Sequence, residues 1–262
     1  MSEYAEERGV PDPGAPCWVN LMVEDLPRSR AFYTTVMGWE FRPSPLGSQF
    51  LVAFAAGSPV AVLGARKPGF APESEWTPYF AVRDADATAA RIRERGATTA
   101  VGPVALGDGR AGLAADREGA TFGFWEGPAP AWSAGEGSAP TRVDLQTRDV
   151  FDAAVFYGEV LDWTTEPGID IAYRDDHVVV ESGGRAVLSL RGGGAGGSVP
   201  AHLRPRWLVN FTVDDVERAV VAAIGAGGSR PRLSPTSWTP KGFSRTLRDP
   251  DGGLFTLTPR ES

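Results

Sequence analysis

The sequence predicts an α+β fold in which a βαβββ unit occurs four times and forms two tandem cupped barrels. The first observation is an internal repeat, because a strand, an aspartate, a helix with a Phe-Tyr pair and a Trp return about 124 residues later. The second is that a strand–Asp–helix start also occurs inside each half, at Asp84 and Asp215. The third is the period-two alternation of strands between glycine turns, which lets each pair of units curl around a cavity.

The opening unit sets the pattern for the others. Apolar residues alternate with larger or polar ones over residues 17–23, which is the period of a strand. Phe32 and Val36 have helical spacing within residues 27–37, and Gly38 follows as a helix stop. In the second half, residues 143–147 and 151–161 repeat this strand and helix.

The remaining elements follow in the same order in both halves. In the first half we predict strands at 50–54, 59–63 and 76–82, a helix at 85–95, two strands around 108–110, and a strand at 120–125. In the second half we predict strands at 170–173, 177–181, 186–190 and 207–213, a helix at 216–225, and a closing strand within 249–257. The domains are a tail at 1–14, a first domain at 15–128, a Pro/Gly/Ser-rich linker at 129–140 and a second domain at 141–262.

Composition limits the possible partners. The chain has 262 residues, is 42% hydrophobic and carries a net charge of −7 without a Lys/Arg cluster, so neither nucleic acid nor membrane is expected as a partner. No apolar run approaches the roughly 20 residues of a membrane helix. The acidic N-terminus lacks a signal-peptide pattern, and a single cysteine, Cys17, suits a reducing cytoplasm. We therefore expect a cytoplasmic protein that binds a small molecule.

The chain opens with a strand–x-Asp–helix–Phe-Tyr–Gly-Trp pattern, has Asp-Pro-x-Gly-like turns at 116–119 and 249–252, and contains the βαβββ unit four times. In these three features it resembles the vicinal oxygen chelate superfamily. That superfamily includes glyoxalase I, extradiol dioxygenases, fosfomycin-inactivating enzymes and bleomycin-binding resistance proteins. More narrowly, the chain resembles tandem two-domain glyoxalase/bleomycin-resistance-type proteins of actinobacteria over roughly residues 15–128 and 140–260. The joined domains supply the pairing that single-domain relatives obtain by dimerising, which implies a monomer or a weak homodimer.

The resemblance also locates the positions at which family members bind a metal. The first-strand positions carry Trp18, Thr77, Arg142 and Leu208, and the last-strand positions include Gly123 and Thr256. None of these side chains is a usual ligand of a divalent ion. We therefore predict no metal and no cofactor, while a site built from Asp144 and loop carboxylates stays open.

If the metal positions face inward, so do their period-two neighbours. The first cavity is then mostly aromatic and neutral, and its predicted ligand-binding residues are Trp18, Asn20, Tyr79 and Trp125. Such a lining suits a flat hydrophobic ligand, although the same rings could simply fill a small barrel. The second cavity is charged, with Arg142 and Asp144 on one strand and the predicted ligand-binding residues Gln146, Asn210 and Thr256. Trp238 is placed at its mouth.

The charged pair carries the predicted chemistry. Asp144 is the candidate general acid or base, and Arg142 would hold it ionised or bind an anionic oxygen of the substrate. A structural salt bridge is the alternative. His177 is a candidate proton donor if its strand faces inward, and otherwise an ordinary loop histidine.

Three functions fit these residues. The first is a metal-independent lyase, cyclase or isomerase that acts by proton transfer on an aromatic or polyketide-like metabolite in antibiotic biosynthesis. The second is a non-catalytic protein that sequesters a drug, as bleomycin-resistance relatives do. The third is a metal-dependent glyoxalase or dioxygenase, which the missing ligands disfavour.

Overall fold

A computed structural model describes most of the chain. The described residues are 8–66, 74–130, 140, 142–174, 177–192, 204–231, 238–239 and 242–260, with the side chains of 8, 130, 238, 239 and 242 left out. In the first half they form β1 (Arg8–Gly9), β2 (Pro16–Val23), α1 (Leu26–Met37), β3 (Glu40–Pro43), β4 (Phe50–Ala55), β5 (Ser58–Ala65), β6 (Trp76–Ala81), α2 (Ala85–Glu94), β7 (Thr98–Leu106), β8 (Gly109–Ala115), β9 (Thr121–Glu126) and β10 (Ala129–Pro130).

The second half repeats this order. Its elements are β11 (Arg142–Gln146), α3 (Val150–Val160), β12 (Ile169–Tyr173), β13 (His177–Ser182), β14 (Arg185–Arg191), β15 (Arg206–Val213), α4 (Val216–Gly225), β16 (Trp238–Thr239), β17 (Gly242–Phe243), β18 (Arg245–Arg248) and β19 (Leu254–Pro259). None of the helices in the described ranges is long and apolar enough to cross a membrane.

Each half of the sequence forms one mixed sheet, which confirms the predicted α+β fold of repeated βαβββ units. The first has eight strands in the order β3-β4-β5-β2-β6-β9-β8-β7, and the second has seven in the order β12-β13-β14-β11-β15-β19-β18. As far as the chain is described, both sheets are open and end at edge strands, so they are cupped sheets and not closed barrels.

The aspartate of each strand–Asp–helix start is a helix N-cap. The carboxylates of Asp25, Asp84, Asp149 and Asp215 each accept a hydrogen bond from the backbone N–H three residues later, at 2.9 Å. Such a cap satisfies a donor that the first turn leaves open and stabilises a helix by about 0.5–2 kcal/mol. The repeated aspartate is thus a structural signal.

The chain separates into two compact units, which we name by the repeats they contain. The middle unit holds repeats two and three and comprises Met1–Trp18, Thr77–Gly135 and Arg142–Trp207. The terminal unit holds repeats one and four and comprises Val19–Trp76, Glu136–Thr141 and Leu208–Ser262. The domain boundaries predicted from the linker, near residues 128 and 141, stay a prediction.

The terminal unit is built around Tyr33, whose ring stacks on Trp39 and contacts Trp76 and Phe255. The Tyr33 hydroxyl donates a 2.7 Å hydrogen bond to Asp249 Oδ2 and accepts one from Trp76 Nε1 at 3.2 Å. Asp249 Oδ1 in turn accepts the backbone N–H groups of the turn that follows it, residues 251 and 253. The Tyr33 hydroxyl, Trp76 Nε1 and both carboxylate oxygens of Asp249 therefore all have hydrogen-bond partners.

The middle unit contains the same arrangement around Tyr157. Its hydroxyl donates to Asp116 Oδ2 at 3.0 Å and accepts from Trp207 Nε1 at 3.3 Å. Burial raises the pKa of both tyrosines well above 10 and also raises the pKa of Asp116 and Asp249. We call these two groups the Trp–Tyr–Asp triads.

Candidate functional site

A polar network lies on one face of β11 and β14 in the middle unit. These strands pair in parallel, with Asp144 beside Ser189 and Gln146 beside Arg191. Residues two apart on a strand share a face, so Arg142 joins this set. The intervening residues Val143, Leu145 and Leu190 are fully buried on the opposite face. The strand pattern therefore places three charged side chains together.

Asp144 is the centre of the network. Its Oδ1 lies 2.7 Å from Arg142 Nε and accepts a hydrogen bond from the Ser189 hydroxyl, and its Oδ2 accepts from Arg142 Nη2 at 3.2 Å. The residue is 9% exposed, and Ser189 is completely buried. A carboxylate at this depth requires pairing, which the guanidinium and the hydroxyl supply.

Arg191 extends the network towards solvent. Its Nε donates to Ser189 Oγ at 2.8 Å and lies 3.9 Å from Asp144 Oδ1. Its terminal amino groups have no hydrogen-bond partner in the part of the chain that the structure describes, and its side chain is 40% exposed. The Gln146 side chain, at the neighbouring register position, likewise makes no hydrogen bond to the described residues.

His177 shares this face through the sheet register. It is the Cα partner of Arg191 on the antiparallel pair β13–β14, just as Val179 is the partner of Ser189. The structure thus places four predicted site residues on one face of the second sheet: Arg142, Asp144, Gln146 and His177. It adds Ser189 and Arg191, which the sequence analysis did not single out.

An aromatic cluster lies elsewhere in the middle unit. The Trp18 ring centroid is 4.7 Å from that of Tyr79 and 5.3 Å from that of Trp125. Tyr79 pairs with Gly123, where an added Cβ would lie 2.3 Å from the tyrosine ring. The absence of a side chain at Gly123 therefore makes the space that the Tyr79 ring fills.

Two polar atoms of this cluster are relevant to binding. Trp18 Nε1 is buried and has no hydrogen-bond partner within the described ranges. Burial raises the pKa of the Tyr79 hydroxyl to about 12, so this group remains a donor at neutral pH. An unpaired buried donor costs free energy that an acceptor on a ligand would recover.

Cys17 is buried against the same cluster, and its thiol donates to the Tyr79 carbonyl at 3.3 Å. Burial raises its pKa, so the thiolate that a nucleophile needs is disfavoured.

The terminal unit holds the other predicted ligand-binding residues. Asn20 is 7% exposed, lies beside Val62 in the β2–β5 pair, and makes no hydrogen bond to the described residues. Asn210 lies beside Thr256, whose hydroxyl is 3.1 Å from that of Thr246. The Trp238 side chain lies outside the described residues, and its place at a cavity mouth stays a prediction.

The donor set does not fit the metal that the resemblance implies. Among the described residues, no group of three or more His, Cys, Asp or Glu side chains could hold a metal ion. At Gly123 the Tyr79 ring occupies the space that a metal-binding side chain would need, and at Arg142 a cation takes the place of a ligand.

Comparisons with known proteins agree with this architecture. Residues 142–258 match the family model of a glyoxalase-like domain, and residues 17–50 match that of a bleomycin resistance protein-like N-terminal domain. The anthracycline biosynthesis protein DauV of Streptomyces sp. (strain C5) is 31% identical over 94% of this chain and 93% of its own length. A protein of Mycobacterium tuberculosis (strain CDC 1551 / Oshkosh), named as a glyoxylase (CFP32), is 29% identical over 93% of this chain and 94% of its own length.

A solved structure shows the same fold at lower identity. The Mn(II)-bound glyoxalase from Novosphingobium aromaticivorans superposes with a TM-score of 0.59 at 17% identity, covering 95% of this chain and 82% of that one. At this identity the likeness concerns the fold alone.

Proposed function

Since the chain belongs to the vicinal oxygen chelate superfamily, in its tandem glyoxalase/bleomycin-resistance form, we propose that it binds an aromatic, polyketide-like small molecule and catalyses a metal-independent proton transfer on it. The reaction would be an isomerisation, a cyclisation or a dehydration. A relative named for anthracycline biosynthesis supports this ligand class, because anthracyclines are planar aromatic compounds. The aromatic cluster supports binding of such a ligand, because its rings offer stacking contacts, and the charged network supports the proton transfer.

The single observation that carries the catalytic part is the network around Asp144. A carboxylate that is 9% exposed is held by Arg142 at 2.7 Å and by the Ser189 hydroxyl. Orientation by two partners fixes the position of a general base, which proton transfer from carbon requires.

The proposed step needs no co-reactant. The Asp144 carboxylate removes a proton from a carbon next to a carbonyl group, and the electron pair of the C–H bond forms the enolate. A guanidinium beside that oxygen stabilises the developing negative charge, a role for Arg142. A protonated His177, on the same face, then donates its proton to another carbon, which completes an isomerisation. The proton on Asp144 returns to His177 through solvent and restores both groups.

The test is the Asp144→Asn variant. Purified protein is incubated with a panel of anthracyclinone precursors, product is followed by mass spectrometry, and ligand affinity is followed by tryptophan fluorescence. We expect product formation to fall by at least about 100-fold while affinity changes only a few-fold, since removal of a general base affects the chemical step. Asp170→Asn, an exposed carboxylate on β12, is the matched control.

Unchanged turnover in Asp144→Asn would reject the acid/base role. A second function, sequestration of a drug-like ligand without turnover, is supported by the aromatic cluster, where Trp18 Nε1 offers an unused donor. Tight binding with no product from wild-type protein would favour it.

A further inference from the structure

The guanidinium of Arg191 is fixed at one end and open at the other. Its Nε donates to Ser189 Oγ at 2.8 Å, and Ser189 donates onward to Asp144. Its two terminal amino groups have no partner among the residues that the structure describes. A guanidinium held through Nε presents its remaining N–H groups as a planar fork, the geometry that binds an anionic oxygen in two contacts.

The charges of the network favour the same ligand. The described part of the network holds two guanidinium groups, of Arg142 and Arg191, and one carboxylate, of Asp144. The burial follows a gradient, because Ser189 is fully buried, Asp144 is nearly so, and the side chains of Arg142 and Arg191 are 34% and 40% exposed. A molecule that reaches this face from solvent therefore meets the guanidinium groups first.

We propose that Arg191, together with Arg142, binds an anionic oxygen of the ligand and that the protein selects aromatic compounds that carry a carboxylate. Ser189 is a positioning residue, because its hydroxyl holds the Arg191 Nε from beneath. The Gln146 amide, beside Arg191 in the β11–β14 register, supplies a further donor. This inference rests on the proposed function, since it names the substrate class of the same site.

The test compares two probes with the same ring system, anthraquinone-2-carboxylate and its methyl ester, of which only the first carries a negative charge. Dissociation constants are measured by tryptophan fluorescence and calorimetry for wild-type protein, Arg191→Gln and the control Arg185→Gln. Arg185 is an exposed arginine at the other end of β14, so its variant removes the same charge from the same strand. In wild type and control we expect the acid to bind about tenfold more tightly than the ester, the effect of one charge-assisted contact.

In Arg191→Gln the preference for the acid should fall to within about threefold, while ester affinity stays as in wild type. Ser189→Ala should weaken acid binding by a smaller factor, because it releases the fork without removing it. Arg191→Lys should recover part of the preference for the acid over the ester, but less than in wild type, since an ammonium group lacks the planar fork.

Two outcomes overturn the inference. The anion site is rejected if wild-type protein binds the acid and the ester equally well, or if Arg191→Gln keeps the preference for the acid. If the ester still binds in either case, the proposed aromatic ligand class remains supported. Failure of both probes to bind rejects the anion site and counts against the aromatic ligand class as well. The Asp144→Asn turnover test separates the two proposals, because it does not depend on these probes.

Discussion

The middle and terminal units are alike in their cores and differ at their polar strand faces. In the cores, Trp207–Tyr157–Asp116 and Trp76–Tyr33–Asp249 make the same hydrogen bonds within 0.3 Å of one another. At the faces, Tyr79 lies beside Gly123 in one sheet, whereas Asn210 lies beside Thr256 at the corresponding register of the other. Internal repetition thus preserves the scaffold, while the residues on the strand faces differ between the repeats.

The small residue at 123 explains much of that difference. Because Gly123 has no side chain, the Tyr79 ring packs directly over the strand, and Trp18 packs against both Tyr79 and the buried Trp125. The repeat equivalent of Trp18 is Arg142, which instead pairs with Asp144. Within the middle unit, the face of the first sheet is therefore neutral and aromatic, whereas the face of the second sheet is charged.

The largest expected effect tests the likeness of the cores. Trp76→Ala and Trp207→Ala each remove a buried ring and leave a tyrosine hydroxyl without its donor. We expect each variant to lower the free energy of unfolding by about 3–5 kcal/mol, measured by urea denaturation. A difference of more than about 2 kcal/mol between the two variants would break the equivalence of the triads.

An intermediate effect tests the aromatic cup. Trp18→Ala should weaken binding of an aromatic ligand by about 1–3 kcal/mol, because the indole ring would no longer stack on the ligand. Phe151→Ala, an exposed ring on α3, is the control and should leave affinity unchanged. Equal affinities in calorimetry would assign Trp18 to packing alone.

The smallest effect is a pH dependence shared by both units. Burial raises the pKa of Asp116 and Asp249 above the ordinary value of 3.8. A raised folded pKa means that the folded state binds the proton more tightly, so this contribution to stability is full below pH 3.8 and is lost as pH rises through the folded pKa. Asp116→Asn and Asp249→Asn remove the contribution.

The free energy of unfolding of each Asn variant should therefore rise relative to that of the wild type as the pH of the urea titration rises from 4 to 7. The two variants should have slopes of the same sign. A slope in only one of them would show that the carboxyl environments differ between the units.

Most of the fold could be predicted from local sequence patterns. The helix expected at 216–225 has those bounds in the structure, and the other predicted helices and most predicted strands shift by one or two residues at their ends. The short strands β1, β3, β10, β16, β17 and β18 were not predicted. Such shifts are usual, because helix ends are defined by capping and strand ends by pairing with neighbours. The order of the elements could be predicted from the repeated N-cap aspartates, since an N-cap depends only on residues next to it in the sequence.

The site was less readable because it depends on register between strands. Arg191 lies one residue beyond the strand predicted at 186–190, and its position beside Gln146 follows from the β11–β14 pairing. Ser189 gave no signal of its own, since a serine in an apolar strand resembles any small residue. Arg191 could have been found by extending the predicted strand one residue beyond 190, because the period of two then places it on the same face as Ser189.

The hydrogen bond from Tyr33 to Asp249 joins residues that are 216 positions apart. The ribosome therefore delivers both partners of the Tyr157–Asp116 bond, 41 positions apart, long before it delivers Asp249. During synthesis the middle unit can fold first. The aromatic core around Tyr33 in the first repeat can form only after the last repeat has been synthesised. A fragment that ends near residue 128 would contain one member of each tyrosine–aspartate pair and neither bond.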